Sequence, residues 1–165
     1  MAIKAEKNPT TAVTFEVFGP TVEFLTAPDD ELSDFCVMKG IVPPGVFVPL
    51  HSHADTEDFI IISGTMQVLR QDDAGHEWLE GHIGDYFHVP ANAPHAWRNV
   101  SNEPAVALIT TTKKMGTFFQ EAGRPATGGP QPVTPEELMK FFAVCAKYGY
   151  WNATPEENAA VGIQL

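Results

Sequence analysis

Two histidines one residue apart, with a glutamate four residues after the second, stand in the stretch Gly45–Gly64, GVFVPLHSHADTEDFIIISG. Side chains of an extended strand alternate between faces, so His51 and His53 point the same way and Glu57 shares their parity. A strand that stays extended or turns once after His53 brings all three to one point inside a sheet. Two imidazoles and a carboxylate on one face suit a divalent transition metal such as Fe, Mn, Co, Ni or Zn. Asp55 has the same parity, so spacing alone leaves the choice of carboxylate open. A second stretch, Gly84–Asn99, GDYFHVPANAPHAWRN, adds a further candidate ligand, His95, at the start of a new β-like run.

The elements that must position these residues read as short strands. Val13–Phe18, Thr21–Thr26 and Asp34–Val42 are apolar-rich runs, separated by Gly19-Pro20 and Pro28-Asp29-Asp30 and ended by Pro43-Pro44-Gly45. Gly64-Thr65 is a tight turn after the first histidine stretch. Thr65–Arg70 pairs back as its hairpin partner, and Gln71–Gly75 connects it to His76–Glu80. Asp85–Val89 and His95–Val100 flank the Pro90–Pro94 turn, and Ala105–Thr112 is a further strand. About ten short strands with turn signals at this spacing predict an all-β sandwich or barrel. Two such sheets leave a cavity between them for the candidate ligands.

The tail has a different pattern. Gly123–Thr134 is a Pro/Gly-rich connection, and Phe118–Ala122 before it reads as a helical turn. Thr134-Pro135-Glu136-Glu137 then announces a helix, with Thr as the cap, Pro in the first turn and Glu closing a capping box. Leu138, Phe141, Phe142, Cys145 and Tyr148 recur at helical spacing, and Gly149 is the stop. Thr154-Pro155-Glu156-Glu157 repeats the cap for a second short helix. The apolar face of the first helix is expected to pack on the outside of the barrel, with a dimer contact or a lid as alternatives. The expected organisation is an arm over 1–10, a β-barrel domain over 11–117, and a linker with a helical tail over 118–165.

At 165 residues the chain fits one domain with a real core. Its net charge of −11 argues against nucleic acid and against an anionic membrane surface. No N-terminal apolar segment reads as a signal peptide and no run is long enough to span a bilayer, so the cytoplasm is the expected location. Cys36 and Cys145 are too few for a disulfide framework, and Cys36 reads as a small core residue. His76 and His82 read as surface residues. There is no nucleophile elbow, phosphate-binding glycine loop or CxxC pair.

Together the two stretches, G-x5-H-x-H-x3-E-x6-G on Gly45, His51, His53, Glu57 and Gly64, and G-x5-P-x-N-x2-H-x3-N on Gly84, Pro90, Asn92, His95 and Asn99, resemble the two signature motifs of the cupin superfamily. Asn92 departs from the glycine often found there, but asparagine tolerates the positive φ of a tight turn better than most residues. The resemblance implies a single cupin jelly roll with one divalent transition metal per chain, held by His51, His53, Glu57 and His95. Four protein ligands leave one or two positions for water, substrate or dioxygen.

Within that superfamily, HSHADTED, VPANAPHAWRN and the following GTFFQEAGRPA look like the quercetinase-like group of small bacterial single cupins. This similarity implies a dioxygenase acting on a flavonol-like, phenolic or enolic small molecule, with Glu57 doubling as the general base. Some flavonol dioxygenases of this type have one more residue before the glutamate, which keeps Asp58 in contention as well as Asp55. An oxygen-independent isomerase, cyclase or lyase, and a non-catalytic binding protein, are the alternative readings; a homodimer is usual for the family. Phe59 and Ile61 share the parity of Glu57 and are expected to line the cavity, with Phe47 adding aromatic surface. Trp97 shares the parity of His95, as a pocket wall or a core aromatic. Tyr86 and His88 share a face of their own strand; if that face is inward, His88 is a proton-transfer candidate. An aromatic-rich pocket suits a flat apolar or phenolic ligand.

Overall fold

The computed structural model describes residues 13–31, 33–72, 75–126 and 131–165. The expected arm over 1–10 lies outside the described residues. Strands β1 (Thr14–Glu16), β2 (Thr21–Thr26), β3 (Phe35–Val42), β4 (Phe47–Ser52) and β5 (Glu57–Ser63) precede a β6–β7 hairpin, Met66–Asp72 and Gly75–Gly81. Strands β8 (Tyr86–Val89), β9 (His95–Arg98) and β10 (Ala105–Thr112) follow. One sheet runs β1-β2-β3-β10-β5-β8 and the other β4-β9-β6-β7, each extended at one edge by a two-residue strand from the tail. All pairings are antiparallel, as in a jelly roll.

Alternation along the strands builds the core. Strand β10 reads buried and half-buried in strict turn, with Ala105, Ala107, Ile109 and Thr111 inward. Met38 from β3, Phe59 and Ile61 from β5, Val68 from β6 and Trp97 from β9 fill the space between the sheets. Each such apolar side chain contributes about 1.5–3 kcal/mol on leaving water. Gly64 makes the β5–β6 turn at φ 70°, and a Cβ there would sit 2.4 Å from the Pro104 carbonyl oxygen, so only glycine fits.

The tail differs from its sequence reading at its start. Helix α1 spans Lys113–Ala122, beginning directly at the end of β10. Thr112 is both the last strand residue and the N-cap, its hydroxyl accepting from Met115 N–H. The β-branched Thr110-Thr111-Thr112 run hides that cap in the sequence. Helix α2 (Pro135–Tyr148) has the expected capping box and ends at Gly149 in the left-handed region, φ 73°. Helix α3 (Pro155–Ala160) has the same capping box on Thr154.

The apolar face of α2 packs through Phe141, Val144, Cys145 and Tyr148 on Met115, Phe118 and Ala122 of α1, and Phe141 also meets Phe18 of the β1–β2 turn edge-on at 5.0 Å. Leu138 and Phe142 remain 43% and 49% exposed. The tail also adds β11 (Arg124–Pro125) beside β1 and β12 (Trp151–Asn152) beside β4. Cys36 and Cys145 are buried free thiols. No helix among the described residues is long and apolar enough to cross a membrane.

Candidate metal centre

The three histidines of the two motifs meet at one end of the space between the sheets. One nitrogen from each of His51, His53 and His95 lies within 4.8 Å of the other two, a spacing able to hold a metal ion. The ring centroids of His51 and His95 are 4.2 Å apart, and those of His53 and His95 4.9 Å.

Local irregularities put them there. Strand β4 pairs Val48 with Trp97 but His51 with His95, so it carries an extra residue between them. Such a bulge reverses the inward face. Pro49 sits in this bulge, where its missing N–H costs the ladder nothing. Past β4 the chain leaves strand conformation over 53–56 before β5 begins at Glu57. His95 arrives on the Pro90–Pro94 turn. There Asn92 adopts φ 64°, as its type allows, and its N–H donates to the His53 carbonyl at 2.7 Å. Asn99 ties the end of β9 down, donating to the carbonyls of Val42 and Glu103.

Each imidazole is oriented by a backbone carbonyl two residues away. The Nδ1 of His51 faces Pro49 O at 2.7 Å, that of His53 faces Asp55 O at 2.8 Å, and that of His95 faces Ala93 O at 2.9 Å. A carbonyl only accepts, so each Nδ1 carries the proton and each Nε2 is left to face the common point. This is how metal-binding histidines are usually fixed. The Nε2 of His95 is buried with no hydrogen-bond partner, an orphan that a cation at this point would satisfy.

Glu57 is 4% exposed, and its Oε2 lies 3.1 Å from His53 Nε2 and 3.4 Å from His95 Nε2. Burial opposes its charge. The hydrogen bond with His53, and then the close approach of His95, outweigh burial and hold the carboxyl well below the usual range. Burial likewise disfavours the His53 cation, but the Glu57 carboxylate raises its pKa overall. Burial, and then the neighbouring His95 and His53, push the His51 imidazole down to about 3. The donor set of three neutral-capable imidazoles and one carboxylate fits a divalent transition metal.

The other carboxylates in contention are turned elsewhere. Asp55 is buried, with its carboxylate accepting from the hydroxyls of Tyr150 (2.6 Å) and Thr112. The parity argument fails for it because 53–56 is a turn. Asp58 points to the outer face of its sheet, 2.8 Å from His88 Nδ1 and 2.6 Å from the Tyr86 hydroxyl.

That outer placement also corrects the expectation for Tyr86 and His88. Strand β8 pairs His88 with Asp58 and Tyr86 with Ile60, so both face away from the cavity. Phe47 is corrected for a different reason. The β4 bulge turns it outward, where it packs with Leu50, Leu69 and Ala96 beneath Val161 and Ile163. Phe59, Ile61 and Trp97 do lie between the sheets, with the Phe59 and Trp97 rings 4.3 Å apart. Phe87 is a further aromatic there, edge-on to Trp97 at 5.6 Å. Its opposite parity to Tyr86 was the available signal. Tyr150 was not legible as a neighbour of the site, although its ring centroid is 5.4 Å from that of His53.

Residues 38–111 match the sequence profile of the Cupin domain family. The matched region carries a cupin domain and includes His51, His53, Glu57 and His95. The quercetin 2,3-dioxygenase of Bacillus subtilis (strain 168) is 30% identical over 105 residues, which cover 63% of this chain and 30% of that protein. The chain thus spans under a third of that relative's length. A Photorhabdus luminescens protein superposes with a TM-score of 0.55 at 22% identity, over 70% of this chain and 92% of its own. A cupin 2 domain-containing protein from Halorhodospira halophila gives 0.51 at 19% identity, over 79% and 81%. These two likenesses concern the fold alone.

Proposed function

We propose that this protein is a metal-dependent dioxygenase acting on a flavonol-like, phenolic or enolic small molecule. The observation that carries the proposal is the convergence of three carbonyl-oriented imidazoles beside a buried carboxylate that touches two of them. The similarity to a quercetin 2,3-dioxygenase supports the reaction class. His51, His53 and His95, with Glu57, would hold the metal, which supplies charge to stabilise a bound enolate and a place for dioxygen.

The protein's own groups do the rest. Phe59, Phe87 and Trp97 pack as an aromatic cluster between the sheets, apolar surface of the kind a flat ligand would meet. The Trp97 indole N–H is buried without a partner and offers a donor to a substrate oxygen. Glu57, lifted off one imidazole, accepts the proton of the substrate hydroxyl, and its buried setting keeps that proton from bulk water.

The test is an oxygen-electrode screen of metal-loaded protein against flavonols and other enols, with each substrate repeated under strict anaerobiosis. Dioxygen consumption matched to substrate loss is the expected result. Turnover that persists without dioxygen would replace the proposal with isomerase, cyclase or lyase chemistry, and binding without turnover would leave a ligand-binding cupin.

A further inference from the structure

The segment that follows α2 is built onto β4, the strand that carries His51 and leads into His53. Gly149 turns the chain, and Tyr150 N–H then donates to the Cys145 carbonyl at 2.9 Å. Strand β12 adds to the edge of β4, pairing Trp151 with Ser52 and Asn152 with His51. Ala153 N–H donates to the Leu50 carbonyl at 3.0 Å. Asn158, fully buried, accepts from Leu50 N–H at 2.9 Å and donates to the carbonyls of Ala153 and Thr154. Residues 150–158 are therefore stitched to the end of β4 on either side of His51.

The same segment reaches His53 through Asp55. The Tyr150 hydroxyl, on a residue 8% exposed, donates to Asp55 Oδ2 at 2.6 Å. Thr112 Oγ1 already accepts from Met115 N–H, so its own proton goes to Asp55 Oδ1. Lys114 Nζ stands 3.6 Å from Asp55 Oδ2 and 5.2 Å from the centre of the Tyr150 ring. The backbone carbonyl of this fixed Asp55 is the one that orients the His53 ring. Leaving buried carboxylate oxygens unpaired is unfavourable, and Tyr150 is the partner of Asp55 that the tail supplies, so docking it helps hold the turn over 53–56 in this shape.

We infer that Tyr150 and Asp55 are positioning residues of the metal centre, through which docking of residues 150–158 and metal binding are coupled. The inference rests on the reading of His51, His53 and His95 as metal ligands. Coupling of this kind is reciprocal: what strengthens the metal by holding the tail also tightens the tail when the metal binds.

The test uses the full chain and Co(II) as the probe. Affinity is measured by competition with a chelator, coordination by the visible Co(II) spectrum, and tail docking by amide hydrogen exchange. Tyr150→Phe keeps the ring and removes only the hydroxyl. It is expected to weaken Co(II) about 10–100-fold, the range for losing a partner that orients a ligand, and to alter the spectrum. In the parent protein Co(II) is expected to slow exchange over 150–158, and less so in Tyr150→Phe. Tyr148→Phe, which loses a comparable hydroxyl contact to Glu121 in the same tail, is the control and is expected to bind as the parent does. Parent affinity and spectrum in a folded Tyr150→Phe would overturn the inference and leave the metal centre standing. Absence of Co(II) binding by the parent itself would overturn both.

Discussion

Glu57 and Asp58 are neighbours in the chain, and each carboxylate sits beside histidine, yet they belong to different worlds. Glu57 faces inward and contacts His53 and His95, all three nearly fully buried. Asp58 faces outward and contacts Tyr86 and His88, with side chains of His88 and Asp58 49% and 39% exposed. Both carboxyls are held below their ordinary range, Asp58 by the Tyr86 hydroxyl first and His88 second. On the outside, water competes for every one of these contacts, and an exposed pair contributes little. On the inside, desolvation makes an unpaired group costly, so the orphaned Nε2 of His95 marks a place that a cation would satisfy. Similar residue types one position apart thus give a solvated surface cluster and a buried candidate metal centre.

Substitutions on the two faces should separate sharply. Once a substrate is in hand from the oxygen screen, Glu57→Gln should lower kcat by about 10²–10⁴-fold, the usual worth of a general base, while Asp58→Asn stays within about twofold. Equal losses from both would erase the distinction. Stability follows the same division. Ile61→Ala, at a residue 1% exposed, should cost about 2–5 kcal/mol in urea unfolding, whereas His88→Ala should cost about 0.5 kcal/mol or less.

A third contrast is protonic. His53 has a raised pKa, so the metal-free protein keeps a proton there to higher pH than a free imidazole does, a proton that a metal must displace. Proton release on metal binding should therefore be present below the raised His53 value and fade as pH rises through it. His51, held down to about 3, contributes none at neutral pH. Calorimetry in buffers of different ionisation enthalpy measures this; release that is flat across that range would contradict it.

Much of this arrangement is readable from residue spacing, and the exceptions have physical causes. The strands, their turns and the capped tail helices carry local signals: alternation, Gly and Pro, and Thr-Pro-Glu-Glu. The histidines are legible because a turn rich in Gly and Pro announces each of their strands. Phe47 was misplaced because a one-residue bulge in β4 reverses parity and leaves no mark in composition. The face of Tyr86 and His88 is not set by their own sequence, because it depends on pairing with β5, which is a tertiary fact. Asp55 and Tyr150 stand 95 positions apart, and no local pattern links them.

The most direct test of the centre is metal stoichiometry by elemental analysis of untagged protein, parent beside a His51→Ala, His95→Ala double variant and a His88→Ala variant. The account predicts about one Fe, Mn, Co, Ni or Zn per chain in the parent and in His88→Ala, and nearly none in the double variant. Metal retained in the double variant, or no metal in the parent after reconstitution, would contradict it.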